Sequence, residues 1–251
     1  MNPLDATHFI KPIQLGKPNG HAVDACVTCG SRVAGLCHRL DASALDDFAS
    51  DSQRIRLPTR SSLFREGDPA TRAYILVEGV VKLSRLMRDG KQQVVGFRFA
   101  GDVLGYGAGP DYPFDAELLT EGHVCRIERG RLDALLRLYP QMERRLLDLC
   151  LTELANTQEQ LVTIGRRSAE ARVASFLLGL AEVHRLRGVK PGELPLPMTR
   201  SDIGDFLGLT LETVSRSFAS FKRKELIAEP GQHRLCILNS GALQRMTEGE
   251  A

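Results

Sequence analysis

Four of the six cysteines in this 251-residue chain are spaced so that they could act together. Cys26-Val27-Thr28-Cys29 followed by Cys37 makes a C-x2-C-x7-C group, and three close thiols call for a fourth metal ligand. Cys125, at the end of a strand-rich region, can supply it. Residue types alone leave structural zinc, a metal cluster and thiol-based chemistry open. A second group is Glu212, Ser215 and Arg216, spaced three and one apart so that they project together from the first turns of a helix. Such residues read base edges: Arg216 can donate two bonds to guanine, Glu212 can accept from cytosine N4, and Ser215 can meet a base edge or phosphate. Lys222, Arg223 and Lys224 follow on the same helix, where phosphate contact is their expected role.

These residues need elements to hold them. Residues 1 to about 40 carry scattered Pro and Gly without periodicity and read as an arm bearing three cysteines. From about Leu57 to Glu128, short apolar runs alternate with turn signals at Gly67, Gly79, Asp89-Gly90 and Gly101, as in an all-β roll or barrel. Asp89-Gly90 predicts a tight hairpin. Pro140 opens a helix to about Arg167, on which Leu147, Cys150, Leu154, Thr157, Leu161 and Ile164 form a heptad stripe that predicts a parallel homodimer seam. A second helix spans about Ala169 to Leu186. Met198 to Arg216 has the build of a helix-turn-helix: Thr199 or Ser201 caps the first helix, Gly208 makes the turn, Thr210 caps the second, and Val214, Phe218 and Phe221 form its buried face. Pro230-Gly231-Gln232 and the run Arg234 to Leu238 suggest a β-hairpin wing.

Composition is consistent with this and excludes several classes. A chain 43% hydrophobic is not disordered throughout. No stretch approaches the ~18 apolar residues of a membrane helix, and a cytoplasmic location without a membrane partner is expected. The net charge of +2 carries no sign of a nucleic-acid partner, which must rest on local placement. We find no nucleophile–base set, Walker loop or dinucleotide glycine pattern, so an enzyme is not expected. Between Gly101 and Cys125 there is no Lys or Arg, while Asp102, Asp111, Asp115, Glu117 and Glu121 make the segment acidic, so no cyclic nucleotide is expected. Cys150 and Cys236 are expected to be small buried hydrophobes, and His38 and His123 surface side chains.

The order of β-roll, long helix and winged helix-turn-helix resembles the cyclic-AMP receptor/fumarate-and-nitrate-reduction regulator superfamily, over about residues 24 to 245. Leu211-Glu212-Thr213-Val214-Ser215-Arg216 looks like the Glu-x-x-Ser-Arg signature of the fumarate-and-nitrate-reduction (FNR) branch. The resemblance implies an α+β chain divided into a cysteine arm (1–40), a sensor (41–138), a dimerisation helix (139–167) and a DNA-binding domain (168–251). It further implies an oxygen-labile 4Fe-4S cluster on Cys26, Cys29, Cys37 and Cys125; the alternative reading of the four thiols is structural zinc or thiol-based sensing. The partners implied are a palindromic double-stranded DNA site with TTGAT-like half-sites and RNA polymerase, the latter through surface turns such as Arg88-Asp89-Gly90. Thr157 stands where better-known relatives carry an acidic residue, which leaves the seam neutral.

Overall fold

The computed structural model describes residues 26–107, 109–188 and 193–248, so residues 1–25 of the expected arm lie outside it. Where the arm is described it is ordered: the segment carrying Cys29 enters a 3-10 turn at Gly30–Val33, and α1 (Ala42–Asp51) follows, capped by the Asp41 carboxylate accepting from the Ala44 amide. This helix was not expected from the sequence.

Eight strands make the roll: β1 (Ser52–Leu57), β2 (Ser62–Phe64), β3 (Arg72–Glu78), β4 (Val81–Leu86), β5 (Gln92–Arg98), β6 (Val103–Leu104), β7 (Asp115–Leu118) and β8 (Gly122–Glu128). One sheet has the order β1-β8-β3-β6 and the other β2-β7-β4-β5. Gly67, Gly79, Gly90 and Gly101 all sit at positive φ, as turn residues between strands should. The β4–β5 hairpin turns through Arg88-Asp89-Gly90, closed by the Met87 amide donating to the Lys91 carbonyl. Between the sheets Phe64, Tyr74, Leu76, Leu83, Tyr112 and Val124 form a filled core, with the Phe64 and Tyr112 rings stacked at 4.1 Å.

After β8 the chain forms α2 (Arg129–Leu138), also unexpected, then α3 (Pro140–Arg166) with Pro140 in its first turn. Glu128 offers α2 no side-chain cap, and only the spacing of buried Leu132, Leu135 and Leu136 marks it. The helix α4 (Ala169–Leu186) matches its expected span. The C-terminal region contains β9 (Glu193–Pro195), α5 (Arg200–Leu207), α6 (Leu211–Arg223), β10 (Ile227–Gly231), β11 (Arg234–Ile237) and α7 (Ser240–Glu248). The wing pairs in the order β10-β11-β9.

The helix-turn-helix is specified locally. Thr199 and Asp202 form a capping box on α5, Gly208 ends that helix at φ 65°, and the Thr210 hydroxyl caps α6. Val214, Phe218 and Phe221 are buried against α4. Gly204 lets α5 meet the turn, because a Cβ there would lie 2.7 Å from the Leu209 carbonyl oxygen. Gly204→Ala is therefore expected to destabilise the chain by about 1–3 kcal/mol through overpacking, read by thermal unfolding.

The outer face of the second sheet packs on the C-terminal helices: Val80, Val94, Phe97 and Phe99 share one core with Leu177, Ile203 and Phe218. The rings of Phe97, Phe176 and Phe206 meet edge to face.

Candidate metal centre and nucleic-acid interface

Cys26, Cys29, Cys37 and Cys125 line one small apolar cavity together with Ser31, Gly35, Leu36, Phe48, Ile75 and Val77. Two parts of the chain far apart in sequence build it. Cys125 is fixed on β8 between Arg54 of β1 and Ile75 of β3, its register partners, and is buried. The other three come from the arm's turn, where the Arg32 guanidinium donates to the carbonyls of Cys37 (3.3 Å) and Leu40 (2.7 Å) and so fixes the loop. Ser31 Oγ lies 3.0 Å from Cys29 Sγ. As they stand, no three or more His, Cys, Asp or Glu side chains among the described residues are gathered so as to hold a metal ion.

Burial pushes the Cys125 thiol up to about 12, with Cys26 and Cys29 adding to the rise and Arg54 opposing it. Burial also raises Cys37 and Cys26, each further raised by neighbouring cysteines and lowered by Arg32; Arg54 also lowers Cys26. Burial thus favours the neutral thiol at Cys26, Cys37 and Cys125 unless positive charge enters the cavity. His123 sits on the same strand, but its Nδ1 pairs with the Glu78 carboxylate at 3.1 Å. His38 is half-buried in the arm.

The core around Cys125 continues into α3. Met142 is fully buried in the core that contains Cys125, and Leu146 packs on the same core. The other face of α3 is open: Leu147, Leu154 and Leu161 are more than half exposed, and Cys150 and Thr157 are exposed. Thr157 donates its hydroxyl hydrogen to the Glu153 carbonyl, which satisfies it within the helix. Ile164 departs from the stripe. It is half-buried, with Cγ2 3.9 Å from where a Cβ on Gly208 would stand. Leu151 and Val162, equally exposed, were not anticipated, although Leu151 lies four residues after Leu147 and three before Leu154. Cys150 is open in the single chain rather than buried, because it faces away from the roll; Cys236 is half-buried in β11.

Glu212, Ser215 and Arg216 are exposed on one side of α6, opposite its buried face. Glu212 accepts from its own backbone amide and from Thr210, which lowers its pKa and keeps it ionised beside the helix N-terminus. Arg216 makes a 3.3 Å hydrogen bond to Thr213 Oγ1. The basic triplet is exposed as expected, but acids distant in sequence reach two of its members: Lys222 pairs with Glu229 at 2.9 Å and Lys224 with Glu170 at 3.4 Å. Arg200 also pairs with Glu229 and lies 3.5 Å above the Phe218 ring centroid.

The roll reaches the helix-turn-helix through buried charge. Lys82 on β4 lies 3.0 Å from Asp202, the capping-box residue of α5, and 3.5 Å from Glu117. Burial alone would lower the Lys82 pKa, but Asp202 and Glu117 raise it overall. Burial pushes the Asp202 carboxyl up, and Thr199 and Lys82 outweigh this, so its pKa is lowered. Arg187 after α4 pairs with Asp102 at 2.7 Å and donates to the Ala100 carbonyl. Lys82, together with Arg85 and Arg129, corrects the picture of an acidic segment free of cations. Arg85 donates to the Pro113 carbonyl and Arg129 to those of Gly107 and Gly109, so other elements bring the positive charge that residues 101–125 lack.

Residues 171–246 match the family model for a Crp-like helix-turn-helix domain, and residues 54–139 match that for a cyclic nucleotide-binding domain. The chain is 38% identical over 222 residues to the nitrogen fixation regulation protein FixK of Bradyrhizobium diazoefficiens, covering 87% of this chain and 92% of the relative. The chain belongs to the Crp/FNR family of transcription regulators. To the fumarate and nitrate reduction regulatory protein of Vibrio cholerae, this Crp/FNR regulator is 30% identical over 239 residues, or 94% of this chain and 95% of that one. The solved structure of FixK2 from Bradyrhizobium japonicum superposes with a TM-score of 0.72 at 30% identity, covering 78% of this chain and 96% of that one. The chain is accordingly a DNA-binding transcription regulator, not an enzyme. Among the described residues no helix is long and apolar enough to cross a membrane.

Proposed function

We propose that this Crp/FNR regulator responds to oxygen through a 4Fe-4S cluster held by Cys26, Cys29, Cys37 and Cys125, and reads a palindromic TTGAT-like site as a homodimer. The observation that carries the reading is the shared cavity: three arm cysteines and one strand cysteine line one apolar enclosure, and among the described residues its lining holds no competing carboxylate or imidazole. That donor set fits a cluster, whose irons are held by Cys thiolates. When bound, the cluster supplies an oxygen-labile prosthetic group. Phe48, Ile75 and Val77 shield the cavity from water, and Ser31 offers a hydrogen bond to the Cys29 sulfur. Thiol-based sensing is less well supported, because the thiolate is the reactive form and burial disfavours it at Cys37 and Cys125. Cys125→Ala, purified without air, is expected to contain no bound cluster iron while retaining the fold; full iron content in that variant would reject the assignment.

The homodimer is proposed through the open face of α3, where exposed leucines repeat at heptad spacing around Leu147, Leu154 and Leu161. Leu154→Asp places like charges opposite each other across that seam. It is expected to convert the dimer to monomer at micromolar concentration in analytical ultracentrifugation. An unchanged dimer would move the interface elsewhere.

The roll is proposed to take no cyclic nucleotide, since its own aromatic rings occupy the space between the sheets. Contact with RNA polymerase through Arg88-Asp89-Gly90 is supported by the exposure of that hairpin tip and of the adjacent Leu86 and Met87.

A further inference from the structure

One turn of α3 faces the core that contains Cys125 on one side and carries the open leucine face on the other. Met142 and Leu146 enter the core that holds the four cysteines, and Leu147, Cys150 and Leu151 follow at once on the exposed face. Between them, Arg145 reaches back to the arm: its Nη2 donates to the Ala34 carbonyl at 2.5 Å and its Nε to the Gly35 carbonyl at 3.2 Å. Both carbonyls belong to the loop between Cys29 and Cys37. That loop is also seated on the roll, because Gly35 lies so close to the Gly101 backbone that a Cβ would come within 2.9 Å of its carbonyl oxygen.

We propose that Arg145 is the positioning residue that couples the state of the cysteine cavity to the pairing face of α3. This rests on the reading above, that the cavity holds a cluster and that α3 pairs. Met142 and Leu146 give contact without direction, whereas a planar guanidinium holding two successive carbonyls fixes both distance and orientation. With Cys29 and Cys37 both ligated, the Ala34 and Gly35 carbonyls are held in place and Arg145 keeps the first turns of α3 in one rotation about the helix axis. When the ligands are lost, the loop relaxes and the fork loses its fixed acceptors. Leu147 and Leu151 then lose the constraint that aims them at a second copy. Coupling of this kind exists only as a difference in pairing free energy between the loaded and empty forms.

The test is a comparison of dimer dissociation constants for anaerobically loaded and cluster-free protein, by analytical ultracentrifugation, in the wild type, Arg145→Met and Arg145→Lys. Iron and sulfide content are measured in each sample. Loading is expected to tighten the wild-type dimer about fivefold or more, the lower end of ordinary coupling. In Arg145→Met, iron and sulfide are expected to match the wild type while the loaded-to-empty ratio falls below about twofold. Arg145→Lys keeps the charge but not the fork, and is expected to fall between; it carries the same comparison if the methionine variant folds poorly. A wild-type ratio retained in either fully loaded variant, or no ratio in the wild type itself, overturns the role of Arg145 alone. Absence of iron and sulfide from the wild type overturns the cluster reading and this inference with it.

Discussion

Arg216→Ala is expected to remove discrimination between a TTGAT-like palindrome and a scrambled duplex while leaving the fold intact. The side chain is exposed, and its hydrogen bond to Thr213 is long at 3.3 Å, so little stability depends on it. On DNA, a bidentate arginine–guanine pair discriminates by about 1–3 kcal/mol, and a symmetric dimer makes the contact twice. The selective component should therefore fall by about 2–6 kcal/mol, or roughly 30-fold to 10⁴-fold, in fluorescence anisotropy titrations. Binding to the scrambled duplex should hardly change. Arg223→Ala should do the reverse: it weakens both duplexes alike and lowers the salt dependence by about one phosphate contact per subunit. Equal selectivity in wild type and Arg216→Ala would remove Arg216 from the base-reading set.

The second large effect is expected from Lys82→Met. Lys82 and Asp202 side chains are only 9% and 10% exposed, so removing the ammonium leaves a buried carboxylate without its cation. Breaking a buried pair in this way costs about 3–5 kcal/mol, and the Thr199 bonds that Asp202 keeps put the expected loss near the lower figure, about 3 kcal/mol. At about 2–4 °C per kcal/mol for a chain of this size, the melting temperature should drop by about 6–12 °C. Adding Asp202→Asn should restore part of it by removing the orphaned charge. The pH dependence follows from the two shifts. Asp202 is lowered, so its contribution is present above the ordinary carboxylate value of about 3.9 and is lost as pH falls through the depressed one. Lys82 is raised, so its contribution is present below about 10.4 and is lost as pH rises through the elevated value. The gap between wild type and variant should therefore be flat from about pH 5 to 9 and narrow in strong acid. A gap of the same size at acid pH would show that packing, not charge, carries the effect.

Local patterns were legible in the sequence. Thr199, Gly208 and Thr210 act through caps and turns a few residues long, and Val214, Phe218 and Phe221 through helical period, so the helix-turn-helix is built as its residues indicate. The cysteines were legible by type and by sparse placement. The heptad stripe identified α3 and five of the residues on its open face, but it included Ile164, which is drawn toward Gly208, and missed Leu151, which is left open. In α1 the signal was available: Asp41 precedes Ala44, Leu45, Phe48 and Ala49 at helical spacing. Contacts that link the functional parts were not legible. Lys82 meets Asp202 across 120 positions, and Arg145 meets Ala34 across 111, and such pairs depend on how sheets and helices dock rather than on any local period. The same limit applied to charge. Segment 101–125 is acidic in sequence, yet Lys82 approaches it from β4, and the acids that pair with Lys222 and Lys224 come from β10 and α4.

The most direct test is an anaerobic absorption spectrum of the purified protein with its iron and labile sulfide content, repeated after exposure to air alongside DNA titrations. About four iron and four sulfide per chain are expected, with a broad visible band that is lost in air together with selective DNA affinity. Anaerobic protein without iron or sulfide, or protein whose operator affinity is indifferent to air, would contradict oxygen sensing through a cluster.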